Sequence, residues 1–131
     1  MYKFSFESQK RLNTVHPKLR AVIESSLKYS ILDFGVSEGH RSLEKQKMYY
    51  ENGATKVLEG KHNKNPSEAV DLYIWIDGRI SWERHDYCYL AGVILTMAKI
   101  HGVKVRWGGN FDLDGEILEQ KFNDLVHFEL Y

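Results

Sequence analysis

Cysteine is nearly absent from this chain. Cys88 stands alone among 131 residues, so no internal disulfide is possible, which fits folding in a reducing compartment. Charge of one sign is missing too. Eighteen basic residues balance eighteen acidic ones, which leaves no electrostatic footprint for nucleic acid and no basic tail as a membrane or wall anchor. No apolar run approaches the ~18 residues of a membrane span. The N-terminal MYKFSFESQKRLN has no continuous apolar stretch of signal-peptide length. No repeat, low-complexity stretch or Pro/Ser linker divides the sequence. These absences predict a soluble protein made in a cytoplasm without a signal peptide, with no nucleic-acid partner and no membrane insertion; a monomer is expected, though nothing in the sequence fixes the oligomeric state.

What is present suffices for one ordinary domain: 43% of the residues are hydrophobic, enough for a real core at this length. Pro17 opens a helical pattern with Leu19, Val22, Ile23 and Leu27 on one face. DFGVSEG reads as a short strand. Ser42 is placed to cap a second helix that stops near Gly53. Residues 54–68 form the longest irregular stretch, with His62 inside it. AVDLYIWI alternates, setting Val70, Leu72, Ile74 and Ile76 against Asp71, Tyr73 and Trp75. Asp77-Gly78 marks a hairpin turn before RISW. Asp86 is a candidate cap for a long helix through Ile100, with Leu90, Val93, Ile94 and Met97 at core spacing and Gly102 at its end. VKVRW and LVHFELY complete the strands, the latter setting Val126, Phe128 and Leu130 against His127 and Glu129. The order of elements predicts an α+β fold, a small mostly antiparallel sheet with helices packed on one side.

Three residues then carry the chemistry. His62, Asp71 and His127 are zinc-type donors that leave a coordination position for water. Alternation keeps Asp71 and His127 off the apolar faces, so pairing of their strands brings both into one cleft. Asp124, three residues before His127, is close enough to serve a water at the metal. Each residue alone has an ordinary explanation: a solvated loop histidine, an edge-strand carboxylate, a satisfied histidine near the chain end. Yet a charge inside an apolar strand is costly unless paired or metal-bound. Three ligands with a free carboxylate is what metal-assisted hydrolysis requires. Asn110, Asp112, Asp114 and Gly115 resemble the opening of a calcium loop, but Lys121 stands where its closing Glu belongs, and a polar turn explains them better. Trp107-Gly108-Gly109 implies a backbone that turns closely along the cleft wall. The aromatic group Tyr49, Tyr50, Tyr73 and Trp75 reads as core and cleft lining.

Over most of its length the chain resembles the zinc peptidases of the lysostaphin, D-alanyl-D-alanine peptidase and hedgehog group. Within it, the chain is most similar to the phage L-alanyl-D-glutamate endopeptidases, single-domain endolysins. FGVSEGHRSLEKQKMYYENG looks like the family's strand, Gly-x-Arg turn and helix. HNKNPSEAVDLY resembles its His-to-Asp ligand motif, VRWGGNFD its Gly-rich strand end, and DLVHFEL its acid-x-x-His ending. There are departures. His62 and Asp71 are nine positions apart where seven is common, Gly60 stands in place of a Ser, and Ser67 in place of a Gly. The extra length is expected to bulge outward around Asn63–Pro66 and return at Ser67, keeping His62 beside the other ligands.

The resemblance implies one zinc ion per chain, held by His62, Asp71 and His127, with Asp124 as general base and Arg41 at the scissile carbonyl. Zinc lowers the pKa of bound water to about 7. A carboxylate in reach takes the proton, and guanidinium donors hold the oxyanion. Gln46 is either a substrate contact or an exposed helix residue. Glu129, on the face of His127, is placed to hold that imidazole's free N–H. His40 matches no ligand position and reads as a surface or cleft-edge residue. The implied activity is hydrolysis of the L-alanyl-D-glutamate bond in the peptidoglycan stem by residues 1–131, a single catalytic domain without a separate wall-binding domain, acting on the wall after release. The alternatives are a D-alanyl-D-alanine carboxypeptidase or dipeptidase, and a non-catalytic wall-binding module with a structural metal. The presence of Asp124 argues against the last, since a structural site does not need a free base.

Overall fold

A computed structural model describes residues 1–110 and 124–131. The chain begins with helix α1 (Phe6–Leu12), which the hydrophobic pattern did not single out. Ser5 caps it, its hydroxyl accepting the N–H of Ser8. Helix α2 (Pro17–Tyr29) has its proline in the first turn, where a missing N–H costs nothing. Strand β1 (Asp33–Glu38) and helix α3 (Leu43–Glu51) follow, and Ser42 caps α3 as expected. A 3-10 turn at Lys61–Asn63 precedes strand β2 (Ala69–Ile76), strand β3 (Arg79–Ser81) and helix α4 (Arg84–His101). Strands β4 (Val105–Trp107) and β5 (His127–Leu130) complete the order.

The strands form one antiparallel sheet in the order β1-β2-β5-β4, with β3 also paired to β2. Asp77 and Gly78 both take positive φ, the requirement of the tight turn predicted there. Alternation along β2 sends Val70, Leu72 and Ile74 into the core with Phe34 and Phe128. Helices α2 and α4 supply the facing layer through Leu19, Val22, Ile23 and Leu27, and through Tyr87, Leu90, Ala91, Ile94 and Ala98. Val93 and Met97 are only half-buried and border a shallow outer groove with Tyr29 and Cys88. This is the expected α+β architecture, and it leaves the Asp71 face of the sheet free of the core helices.

Helix α1 handles the open edge of the sheet. The Val36 N–H donates to the Ser8 hydroxyl at 3.0 Å, and Arg11 donates to the Val36 carbonyl at 3.1 Å. An edge strand's unpaired groups invite pairing with another chain, and here side chains of α1 take them up. One sequence expectation is corrected. Asp86 does not cap α4, whose N-cap is Glu83 with no side-chain bond. Asp86 instead accepts the Ser81 hydroxyl at 2.6 Å, tying the helix to the end of β3. Among the described residues, no helix is long and apolar enough to cross a membrane.

Candidate metal centre

Register brings the predicted ligands together. Asp71 of β2 lies directly opposite His127 of β5, so both side chains leave the same face of the sheet. His62 arrives from the 3-10 turn. The loop behind it closes where the Glu68 N–H donates to the Lys61 carbonyl at 3.0 Å. Between those points Lys64, Asn65 and Pro66 are exposed and Ser67 is fully buried. The two additional residues are therefore accommodated as an outward bulge, and His62 stays buried at 5% exposure. Ser67 anchors the return: its hydroxyl donates to the Ala69 carbonyl, and its backbone pairs with Thr14 and His16.

One oxygen is the meeting point. Asp71 Oδ1 lies 3.2 Å from His62 Nε2 and 3.0 Å from His127 Nδ1. Each imidazole has its outer nitrogen held: His62 Nδ1–H donates to the Gly39 carbonyl at 2.7 Å, and His127 Nε2–H donates to Glu129 Oε1 at 2.8 Å. The two inner nitrogens and Oδ1 are the arrangement a metal needs, because outer hydrogen bonds fix ring orientation and tautomer. One ligand atom from each of the three residues lies within 4.8 Å of the others. Two imidazoles and a carboxylate are hard-to-borderline donors suited to zinc. The residues present thus fit a metal ion of this class.

Electrostatics follow the same geometry. Burial alone would raise the Asp71 carboxyl, but hydrogen bonds from His127 and His62 outweigh it and hold the group well below the usual carboxylate range. Burial pushes His127 down, yet Asp71 and Glu129 win and raise the imidazole to about 9. Burial likewise works on Glu129, where His127 and Arg106 prevail and lower it. Asp124 moves the other way. Burial and the nearby Asp71 charge raise its carboxyl, against the pull of His127, His62 and the Val126 N–H.

Asp124 is placed by backbone contacts. Its N–H donates to the Gly108 carbonyl at 3.0 Å, and its carbonyl accepts from His127 N–H at 3.2 Å. A Cβ on Gly108 would sit 1.8 Å from the Asp124 carbonyl oxygen, so only glycine permits this approach. That is the close turn expected from Trp107-Gly108-Gly109. Asn110 donates its N–H back to the Trp107 carbonyl, while Asp112 and Asp114 lie outside the described residues.

Arg41 is buried. Its guanidinium pairs with the Glu38 carboxylate, donates to Gln46 Oε1 at 2.9 Å, reaches Asp71 Oδ2 at 3.6 Å and lies over the Tyr49 ring. Gln46 is not an exposed helix residue. It is 2% exposed, and its amide N–H groups donate to the Val57 carbonyl and the Thr55 hydroxyl. Helix spacing alone could not show this, because the loop that buries Gln46 lies later in the chain. His40 is exposed, as expected. Tyr50 and Trp75 are also exposed, and do not belong to the core.

Sequence reasoning missed Glu38 and Arg106. Arg106 pairs with Glu129 at 2.7 Å. With these two, alternating charges run across the sheet from Arg106 through Glu129, His127, Asp71 and Arg41 to Glu38.

A model of the phage L-alanyl-D-glutamate peptidase family matches residues 1–131. The chain belongs to that family. The L-alanyl-D-glutamate peptidase of Escherichia phage T5 is 27% identical over 117 residues, covering 88% of this chain and 85% of that protein. The crystal structure of Serratia marcescens L-Ala D-Glu endopeptidase ChiX superposes with a TM-score of 0.82 at 33% identity, covering 98% of this chain and 90% of that one.

Proposed function

We propose that this chain is a zinc-dependent endopeptidase that hydrolyses the L-alanyl-D-glutamate bond of the peptidoglycan stem. The observation that carries the reading is the convergence of His62 Nε2, His127 Nδ1 and Asp71 Oδ1 in a chain matched along its whole length by this peptidase family. A zinc ion bound there supplies Lewis acidity and a water nucleophile available near neutral pH. The chain's own residues do the rest. Asp124, whose carboxyl is raised by burial and Asp71, takes a proton from the attacking water and returns it to the leaving amine. Arg41 offers guanidinium donors to the oxygen of the scissile carbonyl as charge develops there. Glu129 holds the His127 ring through its Nε2–H. Gln46 acts through Arg41, since its amide is already engaged on both sides. In this reading residues 1–131 work as one monomeric catalytic unit, made in the host cytoplasm and reaching the wall after release.

Digestion of purified wall with and without a chelator, with products identified by mass, tests it. The expected result is chelator-sensitive release of stem peptides that begin at D-glutamate. Release of a free terminal D-alanine would instead establish a carboxypeptidase. Wall binding without cleavage would leave a metal-containing binding module.

A further inference from the structure

Strand β1 carries a defect in its pairing. Phe34 lies opposite Ile74, and Val36 opposite Leu72, all facing the core. Regular pairing would then set Ser37 against Asp71 and return position 38 to the core face. Instead the register shifts after Val36, and Glu38 lies opposite Asp71. Ser37 is the extra residue and is exposed. A β-bulge of this kind re-aims a side chain, and here it delivers a carboxylate to the metal-site face of the sheet.

The delivered carboxylate has one principal partner. Nε and the terminal nitrogen Nη2 of Arg41 both converge on the single oxygen Oε1 of Glu38, a charge-assisted contact. Its other oxygen accepts from Lys45 at 2.8 Å. The same Nη2 of Arg41 lies 3.6 Å from Asp71 Oδ2, while Asp71 Oδ1 faces the two imidazoles. The two oxygens of Asp71 are thereby assigned to different partners. Held by Glu38 on one side and Gln46 on another, Arg41 stays at the edge of Asp71. Released from Glu38, it is free to close on Asp71 as a bidentate pair and compete for the oxygen that faces the histidines.

We propose that Glu38 is a positioning residue of the metal centre: through Arg41 it keeps Asp71 presenting a single oxygen, Oδ1, to the metal. This rests on the zinc reading above. The Lys45 contact does not explain the arrangement, because that lysine is half-exposed and such pairs contribute little.

The test is zinc affinity of the purified full chain, read by competition with a chromophoric chelator, so that no substrate is involved. Removal of an outer partner of this kind typically costs ~10–100-fold in metal affinity, and Glu38→Ala is expected to do so. In an Arg41→Ala background the same change is expected to have no further effect, and Lys45→Ala none in either background. Glu38→Gln, which keeps the shape and removes the charge, is expected to move in the same direction and serves if the alanine variant does not fold. Wild-type affinity in both Glu38 variants overturns the proposal. So does an equal loss with and without Arg41, which would mean that Glu38 acts independently of the arginine. A wild-type chain that takes up no zinc overturns the zinc reading as well, whereas normal uptake with indifferent Glu38 variants sinks this inference alone.

Discussion

His127 lies between two carboxylates, with Nδ1 3.0 Å from Asp71 and Nε2 2.8 Å from Glu129. Both partners are acceptors. In the metal-free protein the ring must therefore carry both protons, which is why it is raised to about 9. Nδ1 would give up that proton to hold a metal ion, while Nε2–H keeps its bond to Glu129.

Metal content follows first. The protein is expected to hold one zinc per chain, and His127→Ala to lose it. Elemental analysis of the two purified proteins decides this. Equal zinc in both would move the ligand set elsewhere.

Asp124→Ala is expected to keep the metal and lose most activity. A positioned acid–base group typically contributes ~10²–10⁴-fold. Zinc content and stem-peptide turnover on one preparation separate the two effects. Near-native turnover would make Asp124 a polar neighbour only.

Gly108→Ala tests the placement of Asp124 from behind. The new Cβ has no room beside the Asp124 carbonyl, and overpacking of this kind costs about 1–3 kcal/mol. Chemical denaturation should show that loss, and turnover should fall further than stability explains, because the base is displaced. An Ala variant as stable and active as the parent would contradict the close approach.

The pH dependence of the metal-free protein has a worked sign. His127 is raised on folding, so its contribution is full below the unfolded value of about 6.5 and is lost as pH rises through about 9. Asp71 and Glu129 are lowered, so theirs is present above the unfolded range of about 4 and lost as pH falls through their folded values. Asp124, raised, subtracts from that acid-side gain. The melting temperature without metal should peak between about pH 5 and 6.5. Zinc should raise it more at pH 8 than at pH 6, since less protonated His127 must be displaced. Melting curves with and without zinc across this range check both statements, and a zinc increment independent of pH would rule out the proton exchange at His127.

Much of this protein follows from one-dimensional pattern. Period-two alternation in AVDLYIWI placed Val70, Leu72 and Ile74 inward and Asp71 outward, because side chains on a strand have no third choice. The Asp77-Gly78 turn, the Ser42 cap and Pro17 at the start of α2 follow from local backbone chemistry in the same way. His62, Asp71 and His127 could be singled out by donor type alone. Tertiary structure decided what alternation cannot encode. Helix α1 is held by contacts with a strand edge that forms later in the chain, and a short amphipathic segment carries little signal without that partner. Asp86 was free, by its sequence position, to cap α4, but the Ser81 hydroxyl offered it a better bond. Gln46 and Arg41 are buried by the loop at 55–57 and by Glu38, and neither contact is local to its own element's periodicity. The bulge after Val36 is the clearest case. A single extra residue reverses the face on which Glu38 lies, and only the pairing of β1 with β2 determines where that residue is placed.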